Sequence, residues 1–346
     1  MARRILWGLL ALAPVTIFIH YAFHPGKVLE FSLAALALIP LAWLIGEATE
    51  QAAHHTGPGI GGFLNATFGN APELIIALFA VNEAKFEVVR GSLSGSVVGN
   101  LLLVLGFSLV FGGRGAIDRE SSFASLALIG LAVLLFLIPA VPGWDGDPER
   151  RFIAEISVPV SIALLLIYLG ATWISLRRHR RLHISDAALE MRAWDLRTAL
   201  LVLGLATVVT AMIAEILVGS IEVFADRAHL SEFFVAAVIV AIVGNAAEHG
   251  GAVVVAARGQ IKLAAEIALA SSAQVAVFLI PAVALLAWLI DPLALSFRMV
   301  EIGALAAAAV FTFVLLVQGQ SSRARGVALI LAYVAVAVAF FAAGER

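Results

Sequence analysis

The sequence predicts an all-α integral membrane protein with about eleven transmembrane helices, a leading helix followed by two inverted five-helix repeats. Three observations support this prediction. The chain is 62% hydrophobic and only 13% charged, whereas soluble domains carry about 25% charged residues. Apolar runs of spanning length alternate with short polar breaks. A motif containing Gly-Asn occurs twice, at a fixed offset.

The apolar runs are about 20 residues long, the length that an α-helix needs to cross a bilayer. The first run, Ile5–Phe23, follows Arg3 and Arg4, as the core of a signal peptide does. Its length of about 19 residues exceeds that of a usual signal-peptide core, so we interpret it as a retained span. The predicted spans are 4–23, 28–50, 59–82, 92–112, 122–142, 153–175, 198–225, 231–257, 262–290, 297–318 and 325–343.

One long hydrophilic stretch, 177–197, is predicted to form a surface helix that links the halves. The predicted domains are a leading helix at 1–27, a first repeat at 28–176, this linker, and a second repeat at 198–346. Most of the 22 Lys and Arg residues fall on the cytoplasmic side if the N-terminus and the linker are cytoplasmic. The net charge of -2 offers no basic excess for nucleic acid, and without cysteine there is no disulfide or thiolate metal site.

The two halves align without a gap when one is shifted by 175 positions. Identical residues then fall together in pairs: Gly69 and Gly244, Asn70 and Asn245, Glu73 and Glu248, Glu47 and Glu222, Ser96 and Ser271. The second motif span lies five predicted spans after the first, an odd number. The two copies therefore enter the membrane from opposite sides, which is typical of secondary transporters with a site at the repeat interface.

The motif glutamates are the strongest candidates for function. A carboxylate at the centre of a bilayer costs about 3 kcal/mol, and a purely structural glutamate is less expected at two repeated positions. Asn and Glu are three residues apart in each motif, so they share a helix face. The candidate ligands are the side chains of Glu73, Glu248, Asn70 and Asn245 and backbone carbonyls at Gly69 and Gly244. This set contains only oxygen, which suits a hard cation such as calcium.

The same pair of carboxylates also suits protons. Two close carboxylates in a dry site cannot both stay ionised unless a cation neutralises them. The site would therefore hold either one divalent ion or protons. Mutual exclusion at one alternating site is the physical basis of antiport.

Further polar residues in or near the apolar runs have two interpretations each. Ser96, Ser271 and Gln274 either coordinate the ion or join helices through hydrogen bonds, and Asn100 is a similar buried amide. His249 either relays protons or is a packing residue. Four acidic residues near predicted helix ends are either entry-path acids or interfacial residues: Glu47, Glu50, Glu215 and Glu222.

These motifs resemble those of a known family. Gly46–Gln51 and Leu64–Ile75 look like the first signature of the calcium/proton exchangers, which belong to the calcium/cation antiporter superfamily. Gly244–His249 resembles the second signature, and Ser271–Ala276 is similar to the stretch that follows it. The resemblance covers the chain from about Leu41 to Leu315.

The resemblance implies eleven spans, a central calcium site at the two motif helices, transported Ca2+ and H+ without a resident cofactor, and an acidic cytoplasmic helix between the halves. The linker here has more Arg than Asp and Glu, which argues against calcium sensing by it. The long N-terminal tail of some eukaryotic members is absent, so we expect a prokaryotic cytoplasmic membrane.

Alternatives from two classes stay open. The same fold also suits another cation pair, sodium for calcium or sodium or potassium for protons. A cation channel is the alternative from another class, although a channel would not need glutamates repeated in inverted halves. An intramembrane metalloprotease would need His-Glu-x-x-His, which the sequence lacks. Expected partners are calcium, protons and the lipid bilayer, and the sequence is also compatible with a homo-oligomer.

Overall fold

The computed structural model describes residues 2–179 and 194–345. Within these ranges, the side chains of 2–3, 57–63, 65–66, 175–179 and 247–249 are not described. The predicted linker helix at 177–197 therefore lies largely outside the described residues. The fold class is confirmed as helical, with one pair of two-residue strands in addition.

The helices follow one another along the chain with short connections. They are α1 (Ala2–Leu9), α2 (Leu12–Phe23), α3 (Lys27–Phe68), α4 (Ala71–Asn82), α5 (Phe86–Val98), α6 (Leu105–Gly112), α7 (Arg119–Gly143), α8 (Arg151–His179), α9 (Leu196–Val218), α10 (Ile221–Ala228), α11 (Glu232–Phe234), α12 (Ala241–Gly244), α13 (Ala246–Ala257), α14 (Ile261–Gln274), α15 (Ile280–Ala287), α16 (Met299–Leu316) and α17 (Arg323–Ala343). Three π-helical segments connect helices without a break: π1 (Gly99–Val104), π2 (Val235–Val240) and π3 (Val275–Leu279). The strands are β1 (Gly115–Ala116) and β2 (Gln320–Ser321).

The predicted break between residues 50 and 59 is wrong. Helix α3 continues for 42 residues to Phe68, which is about 63 Å of helix. The predicted break at 51–58 includes Gly57 and Pro58, yet α3 passes through both. Membrane helices tolerate such residues because neighbouring groups satisfy the freed backbone. The chain breaks instead at Gly69 and Asn70.

Nine helices of the described residues are long and apolar enough to cross a membrane, or ten if one bent pair forms a single span. Eleven spans were predicted. The two predicted spans without a counterpart among these nine helices are 59–82 and 231–257, which carry the motif. Helix α4 has only 12 residues, and the second motif lies between α12 and α13. Helix α10 and the segment Glu232–Gly244 form the bent pair, at 108°, so the predicted span 198–225 ends earlier, at Val218.

The elements of the two halves recur at the same offset as the sequence motif. Helices α4 and α13 begin 175 residues apart, as do α5 and α14, and α6 and α15 end 175 residues apart. The helix contacts in the two halves also correspond. Helix α4 packs against α5 and α9, and α13 packs against the equivalent helices, α14 and α3. The two halves are therefore built alike around the motif helices.

The two ends of the bundle are distinguished by the contacts that their loops make. At one end β1 pairs with β2 through Gly115 and Ser321, and Lys262 lies 2.9 Å from Asp118. The ammonium of Lys262 lowers the pKa of the Asp118 carboxyl. We call this the β end. At the opposite end of α17, about 31 Å away by its 21 residues, Glu345 Oε1 accepts a hydrogen bond from the backbone N–H of Glu232.

A buried ionic network ties α5 to α16 and to the loop before α8 at that opposite end. Arg90, with 1% of its surface exposed, lies 2.7 Å from Glu149 Oε1 and donates a hydrogen bond to the carbonyl of Ala294. Glu301 is fully buried. Its carboxyl accepts hydrogen bonds from Ser94 Oγ at 2.8 Å and from the N–H of Arg298 at 2.7 Å.

Candidate ion-binding site

Both motifs form the same backbone turn. Asn70 has φ -103° and ψ 20°, and Asn245 has φ -90° and ψ 4°. These angles lie in the bridge region of the Ramachandran plot, which is sparsely populated and is frequent among active-site residues. Each asparagine precedes a short helix, α4 or α13, but neither side chain caps it with a hydrogen bond. Both amides are buried, so they are directed to other partners.

Glu73 lies in the first turn of α4 and is buried, with 8% of its surface exposed. The first turn of a helix carries partial positive charge from unpaired N–H groups, which stabilises a nearby carboxylate. Pro72 sits in the same turn, where its missing N–H breaks no helical hydrogen bond. The break before α4 thus gives a buried carboxylate an electrostatically favourable position.

Glu73 lies against the second motif. A Cβ atom built on Gly244 would be 3.4 Å from Glu73 Cγ and 3.7 Å from Glu73 Oε1. Because Gly244 has no side chain, the carboxyl of Glu73 lies next to the backbone of the second turn. The two motifs, distant in sequence, therefore meet in the structure.

Asn245 joins the two halves and presents its oxygen inward. Its Nδ2 donates to Ser96 Oγ at 2.7 Å and to the carbonyl of Ala241 at 3.1 Å. A carbonyl only accepts hydrogen bonds, so the nitrogen of the amide faces it and the oxygen faces away. Asn245 Oδ1 is buried and accepts no hydrogen bond from the described residues. Such an atom is costly to bury unless a ligand satisfies it.

A second contact between the halves was not predicted as part of the site. Asn100 Nδ2 donates to Ser271 Oγ at 3.0 Å. Asn100 belongs to π1, and Gln274, which is half-buried, precedes π3. Single π-helical turns are frequent at functional sites. The available signal in the sequence was a strongly polar amide within an apolar run.

The structure places the remaining predicted residues in different surroundings. Gly69 is partly buried in the turn before α4, and Ser96 and Ser271 are buried. The helix of Glu248 and His249 is described, but their side chains lie outside the described residues. The positions of these two side chains relative to Glu73 therefore stay a prediction.

The predicted position near helix ends is wrong for Glu47 and Glu50, because α3 continues well past both. Glu47 is half-buried and accepts a hydrogen bond from Gln51 at 3.4 Å, whereas Glu50 is exposed. Glu215 is exposed near the end of α9. Glu222, near the start of α10, is 67% exposed and lies 3.1 Å from Lys85 Nζ. Burial opposes the charge of Lys85, but its hydrogen bonds to Glu232 and Glu222 outweigh this and raise the pKa of its ammonium.

Comparison with known proteins identifies the family. A model of the sodium/calcium exchanger protein family matches residues 27–177 and 198–342, so this chain belongs to that family. Within this family, the relatives of the chain are calcium/proton and cation/proton exchangers, as the motifs predicted. The chain is 38% identical to the vacuolar cation/proton exchanger 1a of Oryza sativa subsp. japonica, over 93% of this chain and 77% of the relative.

A bacterial relative and a solved structure agree with this assignment. The chain is 36% identical to the Ca(2+)/H(+) antiporter ChaA of Bacillus subtilis (strain 168), over 92% of this chain and 93% of the relative. The solved structure of native YfkE superposes with a TM-score of 0.83 at 33% identity, covering 98% of this chain and 99% of that one. The similarity therefore extends over both halves.

Proposed function

We propose that this protein is a secondary antiporter that exchanges Ca2+ for protons across a membrane. The observation that carries the proposal is the contact of Glu73 with Gly244, since it brings a buried carboxylate of one motif against the backbone of the other. The oxygen of Asn245 adds a buried acceptor on the second motif. Relatives named Ca(2+)/H(+) antiporter support the choice of ions.

In this proposal the ion is held by oxygen atoms from both halves. Glu73 and Glu248 supply two negative charges, which match one divalent cation, and Asn70, Asn245 and carbonyls near Gly69 and Gly244 supply neutral ligands. Calcium accepts 6–8 oxygen ligands in flexible geometry. Protonation of the carboxylates removes the charge that holds calcium, so calcium and protons compete for the site.

Alternating access would arise from two inverted repeats. Two features support this arrangement: the equal spacing of elements in the two halves, and the equivalent contacts that α4 and α13 make. We propose that the β end is cytoplasmic, as the positive-inside rule predicts for its loops, and that the protein resides in a prokaryotic cytoplasmic membrane. Ser96 and Ser271 then hold the asparagine amides across the interface, while Gln274, His249 and the outer acidic residues serve the ion or proton path.

Transport into everted vesicles tests the proposal. An imposed proton gradient, acid inside, should drive calcium uptake without sodium, and a protonophore should abolish it. Lowering the external pH should raise the apparent KM for calcium with little change in the maximal rate.

Each alternative predicts a different result. Uptake that requires a sodium gradient would indicate a sodium-coupled exchanger of the same fold. Uptake that follows the calcium gradient whatever the proton gradient would indicate a channel. A KM that does not change between about pH 6 and 8 would contradict competition at a shared site.

A further inference from the structure

A cavity of about 540 Å³ lies at the β end, between the loops that join α6 to α7 and α16 to α17. We propose that it binds the phosphate of an anionic phospholipid from the leaflet at this end. The residues that line it are Arg114, Gly115, Ala116, Gln320, Ser321, Ser322 and Arg325. It is separate from the motif helices and takes no part in the proposed exchange.

The charge of the cavity favours an anion. Arg114 and Arg325 line it, and Arg323 Nε lies 3.9 Å from a Cβ built on the neighbouring Gly113. Within the described part of the chain, none of these three arginines forms an ion pair with a carboxylate. Arg325 instead donates to the carbonyl of Gln320 and to Gln318 Oε1. Guanidinium groups bind phosphate through two parallel hydrogen bonds.

The surface beside the cavity fits the acyl chains. On α17, large apolar side chains follow Arg323 along one face of the helix, and each is about half or more exposed: Val327, Leu331, Val334 and Val338. On α6, Phe107 and Phe111 are exposed one turn apart, with Phe111 nearer the cavity. An ordinary phosphate ion would use the arginines but not these apolar faces. A phospholipid would use both, as in basic pockets between membrane helices.

The cavity is held in shape by a close helix contact. A Cβ on Gly326 of α17 would lie 2.6 Å from the carbonyl oxygen of Gly106 on α6, and one on Gly106 would lie 3.0 Å from the carbonyl of Gly326. Small residues permit such close contact between membrane helices. The pairing of β1 with β2 fixes the loops above. The site is therefore preformed, which lowers the ordering cost of binding.

Thermal unfolding of the purified full-length protein in a neutral detergent tests the proposal. Added phosphatidylglycerol should raise the unfolding midpoint by about 2–4 °C, whereas phosphatidylcholine with the same acyl chains should not. High salt should reduce the shift, because it screens the arginines. This readout does not depend on transport, so it is independent of the proposed exchange.

The Arg114→Gln variant should lose most of the shift. Arg114 is exposed and has no partner among the described residues, so this variant should fold. The control is Arg258→Gln, which removes an equal charge from an exposed position outside the cavity and should keep the shift. The proposal would be overturned if the two variants showed equal shifts. It would also be overturned if phosphatidylcholine, or inorganic phosphate at the same concentration, shifted the wild type as much as phosphatidylglycerol does, or if phosphatidylglycerol gave no shift.

Discussion

Glu73 combines burial, a helix N-terminus and contact with the opposite motif. The Glu73→Gln and Glu248→Gln variants keep the shape of the side chain but lose its charge and its titratable proton. Substituting a residue that supports a metal ligand, without being a ligand itself, lowers metal affinity by about 10–100-fold. Loss of the charge of a ligand should therefore reduce proton-driven calcium uptake by at least about 100-fold.

The matched control for these variants is Glu155→Gln, which alters a 54% exposed glutamate on α8 and should leave uptake near the wild-type rate. Size-exclusion profiles should show that all three variants are folded. Near wild-type exchange by either motif variant would rule out the site with two carboxylates.

Gly244 is predicted to be needed for the ion and not for the fold. In Gly244→Ala the new methyl group would lie 3.4 Å from Glu73 Cγ, an ordinary van der Waals contact, and alanine favours the helix. The methyl would nevertheless occupy space beside the carboxyl, so we expect the apparent KM for calcium to rise about 10–100-fold without loss of thermal stability.

The control for Gly244→Ala is Gly303→Ala on α16, where a Cβ would meet nothing within 4 Å. Its KM should equal that of the wild type. An unchanged KM in Gly244→Ala would show that calcium does not bind beside Gly244.

The sequence predicted the identity of the site residues better than their partners. Asn70, Glu73 and Asn245 stood out because polar side chains in apolar spans are costly, and all three are buried near the turns. The pairs Asn245 with Ser96 and Asn100 with Ser271 were not predicted. Such contacts depend on how two halves pack, which a pattern within one helix does not contain.

At the scale of elements, hydropathy located the spans but not the breaks within them. The motif helices break at Gly-Asn, and π1 and π3 occupy equivalent places in the two halves, after α5 and after α14. An apolar run looks the same whether its helix is continuous, bent or π-helical. The failure at 51–58 has the same origin, because Gly and Pro there do not end α3.

The network around Arg90 should stabilise the packing of α5 against α16 and against the loop before α8. In Arg90→Met the cation is lost while Glu149 and the buried Glu301 remain. Removing one partner of a buried ion pair destabilises by about 3–5 kcal/mol, so we expect the free energy of unfolding to fall by about 3 kcal/mol.

Denaturant unfolding in one detergent measures the effect of Arg90→Met. The comparison is Arg151→Met, since Arg151 is 80% exposed and pairs with Glu155 on the same helix, an interaction worth at most about 0.5 kcal/mol. Equal losses in the two variants would mean that the buried network adds nothing to stability.

At the scale of the molecule, the repeat was predicted from a few identical residues, and the equal spacing of helices agrees with it. The inversion of the repeat has a weaker basis, because it depends on the second motif span lying an odd number of spans after the first. The two motif spans are broken, and a bend of 108° separates α10 from the start of the second one. Hydropathy counts such segments poorly, so the inversion needs a test that does not count spans.

Asp145 and Gln320 provide this test, because they are equivalent at the 175-residue offset and both are exposed. Gln320 lies at the β end. Asp145 follows Trp144, whose Nε1 donates to the carbonyl of Phe297, and the adjacent Arg298 contacts Ala343 at the far end of α17. An inverted repeat places equivalent positions on opposite faces of the membrane, whereas a parallel repeat places them on the same face.

The chain has no cysteine, so Asp145→Cys and Gln320→Cys each introduce a single thiol. A membrane-impermeant maleimide should label Gln320→Cys in everted vesicles and Asp145→Cys in intact cells, since we propose a cytoplasmic β end. Calcium uptake by each variant checks that it is folded. If instead Asp145→Cys were labelled in everted vesicles and Gln320→Cys in intact cells, the two positions would still lie on opposite faces. The repeat would then be inverted, but the β end would be on the outer face of the membrane. Labelling of both variants from one side would contradict the inverted repeat, and with it alternating access by exchange of equivalent halves.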